Sequence, residues 1–167
     1  MVKNTVKTYS KKLSYFFLEN KKLIFFNIRN TKMKKVKIIK LKSFTRKSGT
    51  LVPINFNNKF PIKVKRIFYI FGKKNEYRGD HAHKKCKQLF IPVLGNIALI
   101  MKQYGKEKTI MLDSKRRNKG ILVPNLVWCR LKFLTKNAIV LVICDRKYEY
   151  QDYIEKYSEF KKIEKNK

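Results

Sequence analysis

The segment Met33-Lys34-Lys35-Val36-Lys37-Ile38-Ile39-Lys40-Leu41 alternates apolar and polar positions and reads as an opening strand. Ser48-Gly49 marks a turn before Thr50-Leu51-Val52-Pro53-Ile54, and Asn57-Asn58 marks another. From Ile62 to Ile70 the pattern alternates and then becomes continuously apolar, which predicts a strong strand. Gly72 to Gly79 is a polar loop. A strand carrying both histidines is expected to follow it and run on to Leu94, before a Gly95-Asn96 turn. Ile97 to Lys102 and Thr109 to Leu112 flank a Tyr104-Gly105-Lys106 turn, and a charged loop spans Asp113 to Gly120. Gly120 to Pro124, Val127 to Phe133 and Ala138 to Cys144 read as three more strands. Only Tyr150 to Lys165 looks helical, with Tyr153, Ile154, Tyr157, Phe160 and Ile163 spaced to share one face. Many short strands separated by Gly, Asn and Pro turns predict an all-β sandwich or barrel with a terminal helix beside it.

Residues 1–32 break this pattern. They are basic, with short aromatic bursts such as Tyr15-Phe16-Phe17-Leu18 and Leu23-Ile24-Phe25-Phe26, and hold neither period. They are expected to form a basic extension outside the core fold, with Met33 a possible biological start. The core domain is then 33–162, followed by a basic tail, 163–167.

Composition changes the picture in two respects. At 167 residues, 44% hydrophobic and 13% aromatic, the chain can build a core and is not a disordered basic tail. Its formal charge of +31 implies nonspecific attraction to polyanions. The lysines are spread along the whole chain, as AT-rich coding produces, and no nucleic-acid recognition element stands out. Such a surface would nevertheless assist capture of an anionic small substrate. Cys86, Cys129 and Cys144 are odd in number and widely spaced, which excludes a disulfide framework and suits a reducing cytoplasm. No apolar run approaches the roughly 20 residues that span a bilayer.

Chemistry concentrates between Arg78 and Gly95. On a strand, positions i and i+2 face the same way, so His81 and His83 would project together into one space. The spacing His81-x-His83-x4-Gln88-x6-Gly95 is similar to the first cupin motif, in which glutamate usually stands at the Gln88 position. Pro124, Leu126 and Cys129 occupy the proline, glycine and histidine positions of the second motif. One branch matches more closely. Val64 to Ile70, Arg78-Gly79-x-His81-Ala82-His83-Lys84, Gln88, Gly120 to Pro124, Val127-Trp128 and Asp152-Tyr153-Ile154 occur in order. Across about residues 34–161 the chain thus resembles the dTDP-4-keto-6-deoxyglucose 3,4-ketoisomerases, or WxcM-like sugar ketoisomerases.

The resemblance implies a cupin-type double-sheet jelly roll with a short C-terminal helix. It also implies a homodimer and a dTDP-linked 4-keto-6-deoxy sugar as substrate, with no cofactor and no metal. The ketone would move from C4 to C3 through an enediol. His81 is assigned the base, and His83 would orient it or relay a proton. A neutral imidazole suits this task because its reference pKa, about 6.5, lies near working pH. Arg66, Arg78 and Lys84 are candidates for the pyrophosphate, and Tyr69, Gln88 and Trp128 for further substrate contacts.

Plainer roles remain open: paired histidines in a barrel core, strand-end charges at Arg66 and Lys84, and Trp128 as packing. A zinc site of His81, His83 and Cys129 is chemically possible. Two imidazoles, an amide at Gln88 and no carboxylate favour a metal-free pocket. Where the family usually has a tyrosine this chain has Phe68, and Asn55 and Cys129 also depart from the pattern. The alternative function is therefore a catalytically weakened cupin that binds a nucleotide sugar without turnover.

Overall fold

The structure is a computed structural model that describes residues 33–34 and 36–166. The expected basic extension, 1–32, lies outside the described residues. In chain order the strands are β1 (Lys37–Lys40), β2 (Phe44–Arg46), β3 (Gly49–Leu51), β4 (Arg66–Gly72), β5 (Tyr77–His83) and β6 (Gln88–Leu94). They continue with β7 (Asn96–Gln103), β8 (Lys106–Asp113), β9 (Lys119–Val123), β10 (Trp128–Phe133), β11 (Ala138–Cys144) and β12 (Tyr153–Ile154). One helix, α1 (Tyr157–Lys165), closes the described chain.

Two five-stranded antiparallel sheets form, ordered β1-β9-β6-β11-β4 and β12-β5-β10-β7-β8, while β2 and β3 pair as a separate hairpin. The side-chain period of two assigns each face. Phe90, Ile121, Val140 and Val142 point from the first sheet into a shared core. Leu99, Met101, Leu131 and Phe133 meet them from the second sheet. This is the double-sheet jelly roll that the resemblance implied, and one form of the all-β sandwich that the short strands predicted.

The outer faces are also covered. Leu89, Ile91, Leu141 and Ile143 back onto Ile54, Phe60, Ile62 and Val64 from the segment between β3 and β4. Burial on both faces explains why β6 and β11 read as continuous apolar runs. On the second sheet, Ala82, Trp128 and Ile154 carry α1, whose Phe160 is wholly buried against them.

Four sequence expectations change. The histidine strand does not run to Leu94; it ends at His83, and β6 restarts at Gln88 in the other sheet. The Asp152 carboxylate diverts the backbone there, accepting from the N–H groups of Lys85 at 2.7 Å and Cys86 at 3.2 Å. The strong strand begins at Arg66 rather than Ile62. The helix begins at Tyr157, not Tyr150, because β5 claims the intervening backbone. Tyr153 and Ile154 pair with His83 and Ala82, and Lys84 N–H donates to the Asp152 carbonyl at 2.8 Å. The core-to-tail boundary after residue 162 falls inside α1, which keeps Ile163 packed on the outer cluster.

Candidate active site

The cavity between the sheets opens beside β5. It measures about 440 Å³ and is lined by Phe68, Tyr69, Arg78, His81, Gln88, Phe90, Cys129 and Tyr153 among others. Gly79 sets its edge. The ladder between β5 and β10 shifts register at Cys129 and Arg130, opposite Gly79. Gly79 sits at φ 87°, and a Cβ there would lie 3.1 Å from the Cys129 carbonyl oxygen. The bulge is followed by Asp80 at φ 60° and then by His81 on the inner face.

The two histidines do share a face. Their ring centroids are 5.0 Å apart and the rings are nearly perpendicular. Tyr153 completes the cluster, 4.9 Å from His81 and 4.4 Å from His83. The two imidazoles have different surroundings. His81 is partly exposed in the cavity, and burial lowers its pKa. His83 is buried, and its Nδ1–H donates to Asp152 Oδ2 at 2.9 Å. Desolvation, then the neighbouring His81, lower its pKa to about 4 against the opposing pull of Asp152. Both rings are therefore neutral near pH 7. The bond to Asp152 fixes the His83 tautomer and leaves Nε2 as a bare acceptor, buried and without a hydrogen-bond partner.

The remaining candidates separate into three groups. Arg78, Tyr69 and Gln88 line the cavity. Arg66 lies beside it, at the end of β4. Its Nη2 donates to Cys144 Sγ at 3.7 Å, and its guanidinium stands over Phe68 and Tyr148 and contacts the Tyr153 hydroxyl. Lys84 and Trp128 do not reach the cavity. Lys84 is exposed and its Nζ donates to the Gln151 carbonyl at 2.9 Å. Trp128 occupies the opposite face of β10 from Cys129, donates from Nε1 to Asp80 Oδ1 at 2.9 Å, and packs on Tyr157 and Phe160. Alternation explains its position: in register, Cys129 faces in and Trp128 faces out.

Sequence reasoning missed Asp152 and Tyr153 as site residues. The motif Asp152-Tyr153-Ile154 was visible, but its apolar spacing matched a helix face. The pairing that brings it to the histidines spans the chain.

The donor set does not fit a cupin metal centre. Among the described residues, no carboxylate lines the cavity. Gln88 offers only a neutral amide, whose Nε2 donates to Cys144 Sγ at 3.7 Å, and burial pushes the Cys129 thiol up to about 12. Asp152 lies behind His83, its oxygens already accepting from the ring and two backbone N–H groups.

A double-sheet jelly roll with a neutral histidine, His81, lining its cavity and His83 buried beside it defines a cupin-type fold. The family described as "FdtA: WxcM-like, C-terminal" matches residues 34–165, and the chain belongs to that family. A TDP-4-oxo-6-deoxy-alpha-D-glucose-3,4-oxoisomerase from Aneurinibacillus thermoaerophilus is 34% identical over 127 residues, covering 75% of this chain and 90% of the relative. The 3,4-ketoisomerase QdtA from Thermoanaerobacterium thermosaccharolyticum, solved as a histidine-to-asparagine variant with TDP-4-keto-6-deoxyglucose, superposes with a TM-score of 0.76 at 30% identity. That match covers 81% of this chain and 98% of QdtA. The TDP-quinovose 3,4-ketoisomerase WlaRB from Campylobacter jejuni matches with a TM-score of 0.69 at 30% identity, covering 77% of this chain and 98% of WlaRB.

Proposed function

We propose that this protein is a nucleotide-sugar isomerase that moves the ketone of a TDP-linked 4-keto-6-deoxyhexose from C4 to C3. The observation that carries the reading is a neutral imidazole, His81, facing a cavity beside a His83–Asp152 dyad and the Tyr153 ring. The relatives bearing that activity supply the substrate class.

The proton inventory fits the groups present. The C3 hydrogen must leave as a proton and one must arrive at C4. The O3 hydroxyl must lose its proton while O4 gains one. His81 is the base for the carbon-to-carbon transfer: it is neutral, and it lines the cavity. The oxygen-to-oxygen transfer needs one acceptor and one donor. His83 Nε2 carries a lone pair, fixed by the Nδ1–H bond to Asp152. Tyr153 stays a donor because burial raises its phenol pKa, although contact with Arg66 opposes the rise. This hydroxyl offsets the one that Phe68 lacks. Arg78 and Arg66 supply positive charge for the enediolate and the pyrophosphate.

We read the protein as a homodimer. Edge strand β4 exposes Ile67, Tyr69 and Phe71, and the β2–β3 hairpin exposes Phe44 and Leu51, an apolar area suited to a second copy.

The deciding experiment incubates the full chain with TDP-4-keto-6-deoxyglucose in D₂O and follows the ring protons by NMR. Deuterium enters the sugar at C3 or C4 and the 3-keto product accumulates. His81→Asn loses both while keeping affinity for TDP. Binding without exchange in the wild type favours the weakened-cupin reading, because Phe68 lines the cavity without a hydroxyl.

A further inference from the structure

Arg78 and His81 both line the cavity although they stand three residues apart on β5. In a regular strand, positions i and i+3 face opposite ways. The bulge removes the conflict. Between the pairs Gly79–Arg130 and His81–Cys129, β5 advances two residues while β10 advances one. Asp80 is the extra residue and has no partner of its own in the ladder. Gly79 at φ 87° and Asp80 at φ 60° put two successive residues in the left-handed region. A side chain other than glycine persists there only where its surroundings hold it.

Three donors hold the Asp80 carboxylate, all on the outer face of the sheet. Trp128 Nε1 and Arg130 Nε each donate to Oδ1 at 2.9 Å, and Arg130 Nη2 donates to Oδ2 at 2.6 Å. Each donor is itself fixed. The Arg130 guanidinium stands over the Tyr77 ring, 5.2 Å from its centroid, on the other side of the bulge from His81. Trp128 is buried and packs on Tyr157 of α1. The Arg130 and Asp80 side chains are 42% and 47% exposed, so their charge attraction adds little to global stability. The bidentate contact fixes a direction instead.

We infer that Asp80 is a positioning residue: its carboxylate, clamped by Trp128 and Arg130 outside the sheet, holds the bulge that turns His81 into the cavity beside Arg78. The inference rests on the reading of His81 as the base. The path between them is short. Asp80 directly precedes His81, and the His81 ring hydrogen-bonds the backbone of Gly79 on the other side of Asp80. That bond selects one neutral tautomer and leaves the other ring nitrogen to act. His83 is anchored separately, by Asp152.

The test replaces Asp80 in two ways. Glycine adopts the same φ freely, so Asp80→Gly removes the clamp without straining the backbone. Asparagine tolerates that φ and keeps an oxygen at Oδ1 for the Trp128 and Arg130 Nε bonds. The chain has two histidines, so isotopic histidine and long-range nitrogen–proton NMR read both rings. Near neutral pH, wild-type His81 should show one tautomer. In Asp80→Gly its nitrogen shifts should move toward a tautomer average while those of His83 stay in place. With TDP-4-keto-6-deoxyglucose, kcat should fall about tenfold or more, with KM changed less. Asp80→Asn should restore most of both. The inference is overturned if wild-type His81 already samples both tautomers, or if its shifts are unchanged in Asp80→Gly. It is also overturned if both rings move together with a lowered melting temperature, which marks a general loosening. A wild-type chain without turnover would overturn the isomerase reading, and the tautomer measurement would still decide the role of Asp80.

Discussion

Burial costs the imidazolium of His83 more than Asp152 returns, and this gives the residue a pH signature separate from its chemistry. The unfolded chain binds a proton at His83 near pH 6.5, whereas the folded chain binds it near 4. Above pH 6.5 neither state is protonated there. As pH falls from 6.5 to 4 only the unfolded state gains the proton, so stability drops, by on the order of 3 kcal/mol at this site. Urea unfolding followed at several pH values should show that slope, and His83→Gln should remove its share. Asp152→Asn tests the dyad itself. An asparagine amide can donate to Nδ1, which reverses the tautomer and occupies the lone pair at the wrong nitrogen. Turnover is expected to fall about a hundredfold or more with KM little changed. An equal loss in KM and in folding would assign Asp152 a purely structural role.

At the level of elements, the segment from Asp152 to Lys165 joins the site to the outer layer. β12 supplies Tyr153 to the cavity face and Ile154 to the opposite face, where α1 seals it with Phe160. Phe160 is 0% exposed and packs 5.6 Å from Trp128 between ring centroids. Phe160→Ala is expected to cost about 3–5 kcal/mol. It should lower the denaturation midpoint while leaving turnover at low temperature intact, since the ring lies across the sheet from the cavity. The same segment shows what the sequence could and could not reveal. β11 was legible to its last residue, because Ala138 to Cys144 is one apolar run buried on both faces. The histidine pair was legible because strand alternation is local. Asp152 and Tyr153 were not, because Tyr153, Ile154, Tyr157 and Phe160 have helical spacing, and only a backbone pairing with β5 overrides it. Trp128 was misplaced for a related reason: motif position does not say which face of a strand a residue takes.

For the whole molecule, two kinds of association compete for interpretation, and salt separates them. The +31 formal charge attracts any polyanion through counterion release, an effect without sequence preference. In the proposed homodimer a second copy would cover the exposed Phe44, Leu51, Ile67 and Phe71, an apolar burial that salt strengthens or leaves unchanged. Among the described residues no helix is long and apolar enough to cross a membrane, so this apolar area is not part of a helical span. Light scattering and DNA retention should therefore diverge along one salt series. DNA affinity should fall about a thousandfold for a fourfold rise in salt if six or more phosphates are engaged. The molecular mass should hold at twice that of the chain throughout. Phe71→Asp, on the edge strand and 73% exposed, should yield monomers without altering the salt dependence of DNA retention. A dimer that dissociates with salt alongside the DNA would place charge, not the β4 edge, at the interface.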